Sequence, residues 1–244
     1  MELFASPFIK KADRYFRNDR GTLQTENVLI KHLADIFHLL LFCGVLPQAW
    51  KKKITPLHKK GSLTDPANYR LLAINGCVYR LFSNVVRDLL TEWALTEKHI
   101  PDTQFGFCPT RNTNQPLFII RHVLSAAKKN KRKVFAAFLD LLAAYDSVSR
   151  ERLWTHLQNL GTPQYILDTI KAMYHGGIYI LIDGDKTSEE VSPDRGLKQG
   201  CPLSPLLYSL FTNDIDRFLD VSEYGAMTAL RLQRCLTVIM LMTL

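Results

Sequence analysis

One aspartate, Asp140, stands where proteins often hold a metal ion. It directly follows the run 134–139, whose density of apolar residues predicts a buried strand. Hard divalent cations such as Mg²⁺ take oxygen ligands and work together with substrate phosphates. Asp140 is therefore a candidate metal ligand, although most strand-end aspartates are turn residues. Asp146, further along the same turn, is predicted to cap the helix that begins near Ser149.

A second candidate group is cationic. Lys59 and Lys60 precede a turn marked by Asp65 and Pro66, and Arg70 follows that turn. Cations on neighbouring extended segments suit a triphosphate, with lysine as a point charge and arginine as a fork. A solvated basic surface is the more common explanation of such a cluster.

The segment 104–113 combines Arg111 with a glycine between two phenylalanines. Aromatic rings beside exposed backbone and a cation suit contact with a strand of nucleic acid. The cluster is a weak signal when it is taken alone.

The run 196–210 begins with a loop that contains two glycines. Gly196 and Gly200 allow an approach that a Cβ would block, and between them lie Lys198 and Gln199. A basic side chain and an amide at this place suit contact with a phosphate and with a base or sugar edge. The competing explanation is an ordinary loop that leads into a helix.

The helix after this loop has a predicted start. Ser204 is expected to be its N-cap and Pro205 its first helical residue.

The elements that must position these residues follow from periodicity and from glycine and proline signals. Helical spacing predicts helices at 25–42, ending near Gly44, and at 116–127, 151–160 and 164–174. Extended structure is predicted at 47–62 and 134–139, a strand running into a helix at 69–92, and a hairpin at 179–191.

Composition indicates a folded protein with an anionic partner. The chain has 244 residues, 47% of them hydrophobic, and a net charge of +8, which suits nucleic acid. The basic run 128–133 is predicted to be a solvated helix end. The five cysteines are odd in number and scattered, which argues against a disulfide framework or a zinc site.

No stretch indicates targeting or a membrane span. The most apolar run, 36–45, is too short to cross a bilayer, and the N-terminus does not resemble a signal peptide. We expect a soluble intracellular protein of the nucleus or cytoplasm that makes no membrane contact.

The order of the clusters along the chain resembles the reverse transcriptase domain of non-LTR (LINE-type) retrotransposons. A basic hairpin comes first, then Gln-x-Gly-Phe, then the strand-end aspartate with a tyrosine five residues later, then Gly-x-x-Gln-Gly-x-Pro-Leu-Ser-Pro. The resemblance covers roughly residues 40–220. It implies an α/β (α+β) right-hand polymerase fold, with fingers and a palm built on a small antiparallel sheet.

The resemblance also implies an activity, RNA-directed DNA polymerisation. The 3′-hydroxyl of a DNA primer attacks the α-phosphate of a dNTP on an RNA template, with two Mg²⁺ ions, or Mn²⁺ in their place. It implies that Asp140 is the catalytic residue and metal ligand, and that Tyr145 is the aromatic gate under the sugar. By the same resemblance, the nucleotide is contacted by Lys59 and Arg70 at the triphosphate and by Gln199 and Gly200. The nucleic acid is contacted by Lys60, Arg111 and Lys198, and Lys60 is also an alternative to Lys59 at the triphosphate.

The chain departs from the family pattern in three places. Leu142 and Ala143 stand where a lysine is common, and Leu71 stands where proline is usual. More seriously, the family has a Tyr/Phe-Ala-Asp-Asp hairpin after the Gln-Gly-Cys-Pro helix, and residues 221–244 contain a single acid, Glu223. A lone aspartate does not hold two metal ions, so we expect the chain to be truncated before that motif and inactive.

A frameshift would explain the missing motif. Residues 239–243 can be encoded by ATT ATG CTG ATG ACN, and reading these codons from the last base of the first one gives Tyr-Ala-Asp-Asp. The frameshift would lie between about Asp220 and Ile239. The hypothesis requires ATT at Ile239 and CTG at Leu241, so sequencing the gene tests it. The competing explanation is a coincidental apolar tail.

These observations predict a division of the chain and leave three functional alternatives. We expect a polar lead-in at 1–25, a fingers-like region at 26–133, a partial palm at 134–220 and an aberrant tail at 221–244. The chain is then an inactive polymerase domain, a nucleic-acid-binding remnant without chemistry, or a pseudogene product whose incomplete palm exposes a sheet edge.

Overall fold

The structure is a computed structural model that describes residues 27–47, 50, 52–141, 143–175, 179–183, 186–191, 193–214, 226–231 and 237–242. The predicted lead-in at 1–25 lies outside the described residues. Within them the elements, in chain order, are α1 Asn27–Cys43, β1 Lys52–His58, β2 Tyr69–Ile74, α2 Cys77–Thr96, α3 Asn114–Lys129, β3 Val134–Leu139, α4 Arg150–Asn159, α5 Gln164–Tyr174, β4 Tyr179–Asp183, β5 Lys186–Thr187, α6 Ser204–Phe211, β6 Ala226–Arg231 and β7 Thr237–Met242.

The helices and strands predicted between residues 25 and 191 are confirmed. Their ends differ by a few residues, as expected where fraying and capping decide a boundary. α6 begins one residue earlier than predicted, with Leu203 as its N-cap and Pro205 in its first turn. The last turn of α3 carries Lys128 and Lys129, so the basic run does lie at a helix end.

The start of α4 corrects one prediction. Ser149 caps this helix itself, because its hydroxyl accepts a hydrogen bond from the N–H of Arg152 at 3.4 Å. The carboxylate of Asp146, which we expected to be the cap, instead accepts hydrogen bonds from Gln199.

The first sheet has the strand order β2-β1-β4-β5. β1 pairs antiparallel with β2 and parallel with β4, and β4 pairs antiparallel with β5, which confirms the hairpin predicted at 179–191. β1 belongs to the predicted fingers-like region and β4 to the predicted partial palm, so this sheet crosses the boundary expected at residue 134.

The second sheet is antiparallel, with the order β3-β7-β6. β7 pairs with β3 over its whole length, with Thr237 opposite Leu139 and Met242 opposite Val134. The tail at 221–244 therefore supplies two strands, and the expectation of a palm without its last strands is wrong for this structure. β3 is also less buried than predicted, since 61% of Phe138 is exposed.

The core lies between the helices. Aromatic and aliphatic side chains of α1, α2, α4, α5 and α6 form one apolar cluster, in which Phe37 of α1 packs edge-on against Phe82 of α2 with 5.2 Å between ring centroids. This packed layer holds the loops before α4 and α6 in place. No helix among the described residues is long and apolar enough to cross a membrane.

Candidate functional site

The loop 196–200 is hydrogen-bonded to the turn that follows Asp140. The N–H of Leu197 donates to the carbonyl of Tyr145, and the N–H of Gly196 donates to the carbonyl of Val148, both at 2.8 Å. Gly196 has φ +87°, and a Cβ there would lie 3.4 Å from the backbone of Asp146. Glycine is favoured here by the positive φ, since a Cβ would make only an ordinary van der Waals contact with Asp146.

The same loop is joined to the first sheet through Gln199. The N–H of Ala73 in β2 donates to the carbonyl of Gln199 at 2.8 Å, which extends the sheet by one bridge. Gly200 follows with φ +99°, and a Cβ on it would lie 3.2 Å from the carbonyl oxygen of Ala73. The loop thus pairs alongside β2, the strand that carries Arg70.

The side chain of Gln199 is bound on its other side by Asp146. Its Nε2 lies 2.9 Å from Oδ1 and 3.1 Å from Oδ2 of that carboxylate. Because a carboxylate accepts and does not donate, the amide nitrogen faces Asp146. The carbonyl oxygen of the amide then remains available to accept from a hydroxyl or an amine.

Arg150 is a residue that sequence reasoning missed. Its Nε donates to the carbonyl of Gly196 at 3.0 Å and its Nη1 to the carbonyl of Pro193 at 2.5 Å, while its guanidinium lies 5.2 Å from the ring centroid of Tyr174. It ties α4 to the loop 196–200. The sequence around Arg150 contains no pattern that predicts this link, because the hydrogen-bond partners of its guanidinium lie more than 40 residues away along the chain.

Lys198 lies in the interior, which corrects its predicted role at the nucleic acid. Its side chain is 3% exposed, and its amine donates to the hydroxyl of Tyr79 at 2.7 Å and to the carbonyl of Met173. The same amine lies 4.5 Å from the ring centroid of Tyr174. The side chain points toward α2 and α5. The hydroxyl, the carbonyl and the ring around its amine provide the acceptors that a buried ammonium needs.

Asp140 and Tyr145 lie at the two ends of the turn after β3. Asp140 is exposed. Tyr145 is 7% exposed and packs against Tyr208 of α6 with 5.3 Å between ring centroids. The ring of Tyr145 is thus buried against α6, while its backbone carbonyl is bonded to the loop.

The predicted triphosphate cations lie on one face of the first sheet. Arg70 is directly opposite Leu57 in the ladder, and the N–H of Lys59 continues that ladder by donating to the carbonyl of Asn68 at 2.8 Å. Side chains two residues apart on a strand share a face, so Lys59 and Arg70 are diagonal neighbours. Both are exposed, as is Lys60.

Arg111 organises the loop in which it lies. Its Nη1 donates to the carbonyls of Pro101 at 2.7 Å and Gln104 at 2.8 Å, and its Nη2 lies 2.9 Å from Asp102. Burial raises the pKa of the neighbouring Cys108 thiol, and the positive charge of Arg111 opposes that rise. Most donors of this guanidinium are thus engaged within the loop.

Among the described residues, the carboxylates near the loop do not fit a two-ion centre. Asp140 is a single exposed carboxylate, and Asp146 is bound by Gln199. Among the described residues no group of three or more His, Cys, Asp or Glu side chains is placed to hold a metal ion. The segment 232–236, which joins β6 to β7 and lies outside the described residues, has the sequence Leu-Gln-Arg-Cys-Leu and no acid.

Residues 57–232 match the family model described as reverse transcriptase (RNA-dependent DNA polymerase). The chain is 31% identical to a Pol polyprotein of a type-2 retrotransposable element of Drosophila melanogaster, over 78% of this chain and 18% of the relative. It is 30% identical to the RNA-directed DNA polymerase of the mobile element jockey of the same organism, over 91% of this chain and 24% of that relative. The chain thus spans about a fifth of these relatives.

The fold agrees with this family. A solved telomerase from Candida tropicalis, in complex with a fragment of telomeric RNA, superposes with a TM-score of 0.56 over 91% of this chain and 41% of the telomerase chain, at 14% identity. A truncated apo form from the same species has a TM-score of 0.55 over 88% of this chain and 49% of that one, at 13% identity. At these identities the likeness concerns the fold.

The chain belongs to the reverse transcriptase family, and residues 57–232 form a reverse transcriptase domain of the non-LTR retrotransposon type. The predicted family and fold class are confirmed. The family is one of RNA-directed DNA polymerases, which use divalent metal ions.

Proposed function

We propose that this chain binds an RNA template, a DNA primer and an incoming dNTP as the fingers and palm of a reverse transcriptase. The observation that carries the proposal is the position of Gln199. Its backbone is bonded to β2, which bears Arg70, and its amide is bonded to Asp146 in the turn after Asp140. One residue thus connects the cations suited to a triphosphate with the aspartate suited to a metal.

The proposed roles follow from this arrangement. Arg70 and Lys59 neutralise the triphosphate, and Lys60 contacts either the triphosphate or the template. Gln199 and Gly200 contact the nucleotide where it meets the template, and Tyr145 lies beneath its sugar. The roles of Lys198 and Arg111 are to position their loops, because their donors are already bound within the protein.

We further propose that the chain as it stands does not extend a primer. Asp140 is the residue that suits Mg²⁺ or Mn²⁺, but Glu223 is the single acid in the sequence of residues 221–244. Thr237 pairs with Leu139, the residue before Asp140, and with Arg231, and the sequence 232–236 between these two strand ends contains no acid. Two-ion catalysis needs more than one carboxylate at that place.

The frameshift hypothesis remains a proposal, and the structure adds a detail to it. Residues 239–242 lie opposite residues 134–137, several residues from Asp140 along β3. The translated residues therefore do not stand where the paired acids of the family are needed. A Tyr-Ala-Asp-Asp motif in the corrected frame requires a different register for the whole hairpin. ATT at Ile239 and CTG at Leu241 would support it, and other codons would refute it.

Two measurements test the proposed function. Binding of a labelled dNTP in the presence of primer–template should weaken by about tenfold in Arg70→Ala, because a charged hydrogen-bonded contact is lost. Arg80→Ala, which removes an exposed arginine from α2, is the matched control and should bind as wild type does. Primer extension with Mg²⁺ or Mn²⁺ should give no product.

Each outcome has a distinct meaning. Product from the wild-type chain would overturn the proposed inactivity while leaving the binding function intact. A chain that melts cooperatively but binds neither dNTP nor primer–template would refute the binding function. A chain without a cooperative melting transition would favour the pseudogene alternative.

A further inference from the structure

Nearly all of the net positive charge of this chain lies in one segment. Between Asp102 and Asp140 the sequence contains no acid and seven Lys and Arg residues, while the whole chain has a net charge of +8. A concentration of one sign in a single segment is the electrostatic footprint of a polyanion-binding surface. Arg111 belongs to this segment but is paired with Asp102. Six cations remain, five on α3 and the turn after it and one, Lys133, directly before β3.

α3 exposes most of its surface. Only Pro116 and Ala127 of this helix are buried, whereas 71% of Phe118 and 55% of Leu117 are exposed. The ring of Phe118 stacks on that of His122, four residues later, with 6.4 Å between centroids and 21° between planes. This pair offers an open aromatic face to solvent.

The cations of this surface are arranged around that aromatic face. Arg121, Lys128 and Lys129 are exposed on α3. The turn that follows is ordered, because the N–H groups of Lys131 and Arg132 donate to the carbonyls of Lys128 at 3.2 Å and Ala127 at 2.9 Å. Within the part of the chain that the structure describes, none of these five cations forms an ion pair.

We propose that α3 and its turn form a second binding surface, for single-stranded RNA, apart from the loop 196–200. This inference rests on the proposed function only in taking RNA as the nucleic acid. The cations Arg121, Lys128, Lys129, Lys131 and Arg132, which we call the α3 cations, contact successive phosphates. A base stacks on Phe118, since aromatic stacking is tolerant of sequence.

The distribution of residues around the helix favours RNA over a membrane surface. At 100° per residue, Arg121 and Lys128 fall between Leu117 and Phe118. A helix that lies in a membrane interface separates its apolar side chains from its charges. Here the two kinds are interspersed, which suits a strand whose bases and phosphates alternate.

Titration of a labelled single-stranded uridine RNA of about 16 nucleotides over a range of salt concentrations tests the proposal. The triple variant Lys128→Gln/Lys129→Gln/Lys131→Gln should flatten the slope of log affinity against log salt by about 2, because each phosphate contact on a single strand contributes about 0.7. Phe118→Ala should lower the affinity by about tenfold. Binding of dNTP with primer–template should stay unchanged in both.

Matched controls remove the same groups from other exposed places. Arg80→Gln/Lys98→Gln/Arg152→Gln takes three exposed cations from outside the segment, and Phe42→Ala removes a ring that is 56% exposed on α1. These controls should keep the wild-type slope and affinity. Circular dichroism spectra matching that of wild type show that each variant is folded.

The outcomes separate this inference from the proposed function. If wild type binds RNA and the triple variant keeps the wild-type slope, the second surface is wrong while the proposed function stands. If the triple variant loses binding to anionic vesicles but not to RNA, the surface binds membranes and the inference is wrong. If wild type binds neither this RNA nor primer–template, both fail. Unchanged affinity in Phe118→Ala would refute the stacking contact.

Discussion

Gln199 is the residue at which the parts of the site meet. Its carbonyl accepts from β2, and its amide nitrogen is bound by both oxygens of Asp146. The orientation of the amide therefore depends on a residue from another segment. Without that carboxylate, the amide can rotate and present either its oxygen or its nitrogen to a nucleotide.

A double-mutant cycle on Asp146 and Gln199 tests this dependence. Asp146→Ala should destabilise the fold by about 0.5–1 kcal/mol, because it removes a charge-assisted but solvent-accessible hydrogen bond. Gln199→Ala should cost little more once Asp146 is gone, so the two effects should not add. Urea unfolding measures both.

Asp194→Ala serves as the control for this cycle. Asp194 is exposed and makes no hydrogen bond to another described residue, so its removal should leave stability within about 0.5 kcal/mol of wild type. Additive losses from Asp146→Ala and Gln199→Ala would show that the hydrogen bond contributes nothing.

At the scale of elements, the packing of the loop 196–200 against β2 depends on glycine. Gly200 combines a positive φ with a close approach to Ala73, whereas Gly161 has φ +81° and open space around it. Substitutions at Gly161 measure backbone strain alone, whereas substitutions at Gly200 measure backbone strain together with a steric contact.

Alanine substitutions at these glycines should differ in cost. Gly161→Ala should lose about 1 kcal/mol through strain alone, and Gly200→Ala should lose more because its Cβ presses on the carbonyl of Ala73. Gly76→Ala, where φ is −60° and the space is open, is the unstrained control. Chemical denaturation compares the three, and equal losses at Gly200 and Gly161 would exclude the steric contribution.

At the scale of the whole molecule, the two sheets link segments that are far apart in sequence. β4 pairs with β1, and β7 pairs with β3, so the parts expected to be fingers, palm and tail share backbone hydrogen bonds. The helical core packs as one cluster that draws on α1, α2, α4, α5 and α6. We therefore expect the stability of the palm sheet to depend on the tail.

Ending the chain after Asp214 tests this dependence. The change removes β6 and β7 and leaves β3 without its partner strand. An unpaired apolar strand promotes association between copies, so the shortened chain should melt at a lower temperature and scatter more light. A shortened chain that stays monomeric, with an unchanged Tm, would show that β7 does not stabilise the sheet.

Much of the fold could be predicted because its signals are local. Apolar periodicity, glycine turns and proline positions predicted α1, α4, α5 and the β4–β5 hairpin close to their observed bounds. The sequence also identified the family, since the order of short motifs along the chain is itself a sequence property. The single acid within residues 221–244 is likewise visible without a structure.

Only the tertiary structure decided which of these residues face one another. In the structure the amine of Lys198 is buried and donates to Tyr79 and Met173. The carboxylate of Asp146 accepts a hydrogen bond from Gln199 and does not cap α4. The structure also pairs β7 with β3, which the sequence did not predict. The physical reason is that burial and partner choice depend on contacts between distant segments, and local patterns carry no information about those contacts.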